Sequence, residues 1–442
     1  MTAALLAISI LTVAGLPLAT WLEPSLGWRA RTGVSFMLGA GVSTLLMLSL
    51  SLVGISWSPA VVLGGVALVA CACVPLARRA RGESSTTLRA TPLSLGADAA
   101  TFLSLGGYAV FATLARPWEW DFWAIWGLKA KEFFLARGVS FEFLARPDNF
   151  FAHPDYPPLL SLVYDFVAIL EGRWDDRWMG VLSVAFAVAM LAVMREELER
   201  QSGSPVIGAA GTLALSGVAC SAWVGLGEGP LVALASSGLV IMSRGLRDDA
   251  PRAIAAGSVL LGLSALTKNE GLSFVVATAV VTVIVSRRRV LLAALPAAAV
   301  VAPWLVARVM IAATTDVFEG GFVARFTERL SSPSAFFETL AGGRFERPLF
   351  WLIALVALML HPPAAKRQRF LIGVALLQAL SYIAVYAGTL NDLASHVQSS
   401  FGRVTSHLAP LVGIVAILAI GAMLKTDHAV VVEGKVDVGH ER

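Results

Sequence analysis

The chain has 442 residues, 57% hydrophobic and 14% charged, with a mean hydropathy of +0.75 and a formal net charge of +4. That balance excludes a soluble multidomain protein of this length and belongs to polytopic membrane proteins. The basic residues sit in short clusters between apolar runs, so the positive charge reads as an orientation signal and not as a nucleic-acid surface.

The first apolar run, residues 1–20, has no basic flank before it and reads as a retained span, not a cleaved leader. Seven Lys/Arg clusters punctuate the rest: Arg29/Arg31, Arg78/Arg79/Arg81/Arg89, Arg195/Arg200, Arg244/Arg247/Arg252, Arg287/Arg288/Arg289, Lys366/Arg367/Arg369 and Lys425. If all seven are cytoplasmic, neighbouring clusters must enclose an even number of spans, each needing roughly 20 apolar residues with some tolerance for shorter ones. Runs 33–54 and 58–77, 205–224 and 228–243, 253–267 and 271–286, 290–313 and 348–362, and 370–388 and 408–424 satisfy this. Between Arg89 and Arg195 there are three runs, 96–115, 157–170 and 178–194. The middle one is shortest, carries Asp165 and begins at Pro157-Pro158, so it is expected on the membrane surface as a juxtamembrane helix.

The expected fold is therefore all-α and polytopic, with about 13 transmembrane helices, the N-terminus outside and the C-terminus inside. Residues 1–95 form N-terminal helices and a basic cytoplasmic loop, 96–424 the larger transmembrane module, and 425–442 a polar cytoplasmic tail. Runs 253–267 and 271–286 flank Lys268-Asn269-Glu270 and are short, so a helix broken in mid-membrane is the alternative there. Cys71, Cys73 and Cys220 show neither metal spacing nor a disulfide framework and read as small core residues.

This topology makes 116–177, 314–347 and 389–407 extracytoplasmic loops, and the polar residues that stand out fall on that face. In "RPWEWDFWAIWGLKAKEFF", an extended Glu119-Trp120-Asp121 would aim both carboxylates one way, toward a metal ion or a substrate. Phe122, Trp126, Lys129 and Phe133 then follow helical spacing, as in an amphipathic helix lying among lipid headgroups, with Lys129 able to snorkel or to meet an anionic headgroup. In "HPDYPPLL", His153 and Asp155 precede the Pro-Pro helix start, where Asp155 would serve equally as a cap or a ligand. Glu228 lies on a tight turn in "WVGLGEGP", whose glycines lack the preceding strand of a nucleotide fingerprint. Lys268 and Glu270 in "LTKNEG" occupy another such turn, and Arg403 and His407 reach the mouth of the last span, where an arginine suits a phosphate.

A carboxylate that takes a hydroxyl proton beside cations that hold a lipid phosphate is the equipment of glycosyl transfer from a polyprenyl-phosphate sugar. The order of "EWD", "HPDYPPLL", Glu228, "LTKNEG" and "GRVTSHLAP" resembles the GT-C glycosyltransferase superfamily, in particular the bacterial group related to protein O-mannosyltransferases and the lipid A aminoarabinose transferase. The resemblance covers roughly residues 96–424. It implies an inverting transferase working outside the cytoplasm on a lipid-phosphate sugar donor and a glycan, lipid or protein acceptor. By the same resemblance Asp121 is the catalytic base, Glu119 its partner in the acid-x-acid motif, and Glu228 and Lys268 the residues of the next two turns. Tyr156 stands before Pro157, and His153 and Asp155 occupy the neighbourhood where family members often carry His or Glu. No cofactor is demanded; a divalent metal ion is the one candidate. The competing classes are a transporter or lipid-linked glycan flippase, centred on Lys268-Asn269-Glu270 in mid-membrane, and a non-catalytic scaffold.

Overall fold

The computed structural model describes residues 1–80, 88–221, 223–313 and 320–437, and every regular element among them is helical. Arg81, residues 314–319 of the second expected loop and residues 438–442 of the tail lie outside the described residues. Helices α1 (Thr2–Leu22), α2 (Trp28–Leu52), α3 (Pro59–Arg79) and α4 (Pro92–Leu114) come first. A π-helical turn, Phe122–Trp126, leads into α5 (Gly127–Ala136), followed by α6 (Phe141–Ala145) and α7 (Leu159–Glu171). Next are α8 (Gly180–Ser202), α9 (Pro205–Ala219), α10 (Glu228–Arg247), α11 (Pro251–Ala265), α12 (Asn269–Ser286) and α13 (Val290–Met310). The last six are α14 (Phe322–Ser331), α15 (Pro333–Ala341), α16 (Pro348–Leu360), α17 (Pro362–Arg367), α18 (Arg369–Gly388) and α19 (Leu393–Asp437).

Local chemistry explains many of these boundaries. Helices α3, α4, α9, α11, α15, α16 and α17 all open on proline, whose missing N–H is not needed in a first turn. Ser58, Thr91 and Ser204 cap α3, α4 and α9 by accepting from the amides of Val61, Ser94 and Ile207.

Among the described residues, nine stretches are long and apolar enough to cross a membrane: Thr2–Leu22, Trp28–Leu52, Pro59–Arg79, Pro92–Leu114, Asp176–Ser202, Glu228–Arg247, Asn269–Met310, Arg369–Gly388 and Leu393–Leu424. Pro205–Ala219, Pro251–Ala265 and Pro348–Leu360 are apolar but shorter. Helix α10 is the most buried span, packed by α8, α11 and α19, whereas α3 and α4 turn Leu68, Phe102 and Leu103 outward, as helices facing hydrocarbon do. Cys71 is exposed on α3, and Cys73 and Cys220 are half-buried, so the thiols are not the core residues expected. One hydrophobic core extends from Ala3 to Leu418, so residues 1–95 share it with the rest of the chain.

The runs 253–267 and 271–286 do form two separate helices, α11 and α12: Gly271 lies against the backbone of Ser264, whereas seven residues of continuous helix would separate them by about 10 Å. Three expectations change. First, helix α7 has no face left for lipid headgroups: every side chain from Leu159 to Ile169 is buried, Asp165 included, because α1, α2 and α5 pack around it. Burial raises the proton affinity of the Asp165 carboxyl well above its usual range. Second, 389–407 is not a loop, because α19 starts at Leu393 and carries Arg403 and His407 on a continuous helix. Third, the same helix runs on to Asp437, through most of the stretch expected as a polar tail.

Candidate functional site

Ten residues stand out in the sequence, and nine of them meet in one polar network. Its spine is a chain of alternating charges. Asp121 Oδ2 receives Arg403 Nη1 at 2.6 Å, and the same nitrogen lies 3.5 Å from Glu228 Oε1. Lys268 Nζ then bridges Glu228 Oε1 at 2.9 Å and Glu270 Oε1 at 3.0 Å. These side chains come from the helical turn before α5, from α19, from the start of α10 and from the α11–α12 turn, elements far apart in sequence. Asp121 and Arg403 are partly exposed, with side chains 26% and 34% accessible, whereas Glu228 and Lys268 are 1% and 9% accessible and Glu270 is 22%, so the chain is buried at its centre and most open at the Asp121–Arg403 pair.

The second limb is centred on Tyr156. Lys129, fully buried in α5, donates to the carbonyl oxygens of His153 and Tyr156 at 3.1 and 3.4 Å and lies over the rings of Trp126 and Tyr156. Tyr156 stacks between Trp126 and His153, and Lys268 Nζ sits 6.0 Å from its ring centre, which joins the limbs. Asp155 accepts from Asn269 Nδ2 at 2.6 Å, with His153 and Arg308 each 3.9 Å away. It therefore does not cap α7, whose N-cap is Pro158 without a side-chain bond. His153 itself holds a left-handed φ of 48°, a conformation a non-glycine residue adopts at some cost.

Burial pushes the Lys129 ammonium down to about 7, against the attraction of Asp155. Burial likewise raises Asp155, while His153, Arg308, Asn269 and Lys129 work to lower it. For Lys268 burial is the largest single influence and disfavours the charge, yet Glu228 and Glu270 together outweigh it and leave the amine above its usual range.

The glycines of "GLGEG" serve packing. Gly225 has a φ of +83° and lies against Pro117 and Phe122, while Gly227 leaves no room for a side chain between Trp126 and Lys268. Glu228 is thereby brought up to Lys268.

Glu119 is the residue that stays out. Asp121 is already helical, so the extended strand that would align the two carboxylates does not form, and Glu119 has no ion pair among the described residues. No group of three or more His, Cys, Asp or Glu side chains is placed to hold a metal ion among the described residues. Trp126, Phe122, Lys129 and Phe133 do share a helical face, but it points into the protein; the outward rings are Trp118, Trp120 and Trp123. Sequence reasoning missed Tyr382, whose hydroxyl shares a 2.9 Å hydrogen bond with His407 Nδ1, and also Gln378 and Arg308. Each is a polar residue inside an otherwise apolar helix, which is the signal that could have found it. Glu228 Oε2, His407 Nε2, Asn269 Oδ1 and Gln378 Oε1 are buried without a hydrogen-bond partner among the described residues. Such unspent capacity concentrates where ligands are held.

Comparison of the chain with protein-family models, curated proteins and solved structures finds no match.

Proposed function

We propose that the protein is a membrane glycosyltransferase that moves a sugar from a polyprenyl-phosphate donor to an extracytoplasmic glycan, lipid or protein acceptor, with inversion. The observation that carries this reading is the Asp121–Arg403 pair at the open end of a buried charge chain. In this reading Asn269–Met310 contributes two spans, α12 and α13, which with the other eight long stretches and the three short apolar helices make thirteen crossings of the cell membrane. The site faces outward, opposite the arginine clusters.

The chemistry follows from the pairing. Arg403 holds Asp121 through one carboxylate oxygen, so a donor phosphate that takes over the guanidinium releases a carboxylate base at that position. Asp121 then accepts the acceptor hydroxyl proton as the acceptor oxygen bonds to the anomeric carbon. The anomeric carbon–phosphate oxygen bond breaks on the opposite face, and polyprenyl phosphate leaves with its negative charge on Arg403. Glu228 and Lys268 fix the position of Arg403 and do not themselves react.

The test is release of free polyprenyl phosphate from a panel of polyprenyl-phosphate sugars, with extracted cell-envelope acceptors, by the protein in vesicles. Turnover is expected from the wild type and from Glu119→Gln, with a loss of at least about 100-fold in Asp121→Asn, the usual scale of a lost general base. Turnover that survives Asp121→Asn removes the catalytic assignment; no consumption of any donor by the wild type sinks the reading.

A further inference from the structure

The other end of the central helix carries a second polar feature, which the proposed transfer does not use. Helix α10 runs from Glu228 to Arg247, and its 20 residues span about 30 Å, so Arg247 lies at the opposite end of the span from the candidate site. There a cavity of about 670 Å³ opens between the ends of α8 and α10 and the α17–α18 junction. Its wall presents Arg200, Arg244, Arg247, Lys366, Arg367 and Arg369, against a single acidic residue, Asp248.

The cations are not equivalent. Arg244 is committed to Glu197 at 2.9 Å, and Arg200 to Glu196 and the Ser25 carbonyl. Gln201 accepts from Arg247 and from the Gln368 amide, which ties α8, α10 and the start of α18 into a fixed frame. Lys366, Arg367 and Arg369 are exposed and have no carboxylate partner among the described residues. Like charges gathered on a rigid frame repel one another unless an anion joins them. A smaller cavity of about 300 Å³ continues from this one past Arg247 and Arg367, and its far wall is Leu418, Gly421 and Ala422 of α19.

We propose that this pair of cavities binds an anionic phospholipid on the membrane face opposite the candidate site. The phosphate sits among Arg247, Lys366, Arg367 and Arg369, and the apolar part of the lipid follows the α19 wall. Arginine guanidinium groups match phosphate oxygens, and the apolar extension beside a membrane span favours a lipid headgroup over a soluble phosphate. The inference rests on the membrane character of the chain and is independent of glycosyl transfer.

The experiment is native mass spectrometry of the full chain titrated with phosphatidylglycerol or phosphatidylcholine, with the melting temperature read on the same samples. The wild type is expected to retain phosphatidylglycerol in preference. The triple substitution Lys366→Gln/Arg367→Gln/Arg369→Gln should weaken that retention at least about tenfold at unchanged melting temperature. Arg78→Gln/Arg79→Gln, which removes exposed cations outside the cavity, should leave it intact. Equal loss in both variants, or no loss in the triple, would mean that the arginines act only as diffuse charge and overturn the site. Displacement of the lipid by an equal concentration of inorganic phosphate would overturn the lipid assignment.

Discussion

Removing one charge from the series Asp121, Arg403, Glu228, Lys268 and Glu270 strands its neighbour, and the penalty depends on depth. Lys268→Met leaves Glu228 buried and deprived of its nearest cation, so it should destabilise the protein by about 3 kcal/mol; pairing it with Glu228→Gln should restore much of that, as read by thermal unfolding in micelles. Lys129 offers a pH test. Its amine titrates near 7 when folded and near 10.5 when free, so between those values the unfolded chain holds a proton that the folded protein lacks. The burial penalty is complete below about 7 and is relieved as pH rises toward 10, so stability should climb across that window. Lys129→Met should flatten the climb, and an unaltered slope would show that the amine titrates normally. At this scale the sequence was informative about which residues matter, because a charged side chain in so apolar a chain stands out. It was silent about partners: nothing local links Asp121 to Arg403, which is 282 positions away.

Among the elements, the starts at Ser58-Pro59 and Ser204-Pro205 were legible, whereas α4 begins at Thr91-Pro92, four residues before its apolar run, because a hydroxyl cap and a proline mark a helix start that hydropathy does not. The burial of helix α7 was not legible, because an amphipathic stretch has the same period whether its polar face meets water or protein, and only the packing of α1, α2 and α5 decides. The start of α19 was missed because polar residues 393–407 resemble a loop, yet they continue a helix whose side chains build the site. Close helix contact makes its own prediction. Gly15 and Gly39 let α1 and α2 touch backbone to backbone, so Gly39→Leu should force them apart at a cost of about 1–3 kcal/mol, seen as a lower melting temperature in detergent.

For the whole molecule, the two polar layers at the ends of α10 define an axis. Toward one end lie Asp121, Glu228 and Lys268; toward the other lie the buried acids of α8, where Glu196 accepts from the amides of Gly27 and Ala30 and Glu197 holds Arg244. A membrane-impermeant maleimide should therefore label Trp120→Cys from outside the cell and Lys366→Cys only in inverted vesicles, each in a background with the three native cysteines replaced by serine. Labelling of both from one side would break the proposed topology.

The amino-acid sequence alone determined that the chain is helical and membrane-embedded, since hydropathy and helical period are properties of neighbours a few residues apart. It also singled out ten residues, of which all but Glu119 later met. Which charges pair, which face of α5 turns inward, and why Glu119 is left aside while Tyr382 and Arg308 join were decided only by tertiary packing. Those outcomes depend on desolvation and contact between segments hundreds of residues apart, and no local pattern encodes them.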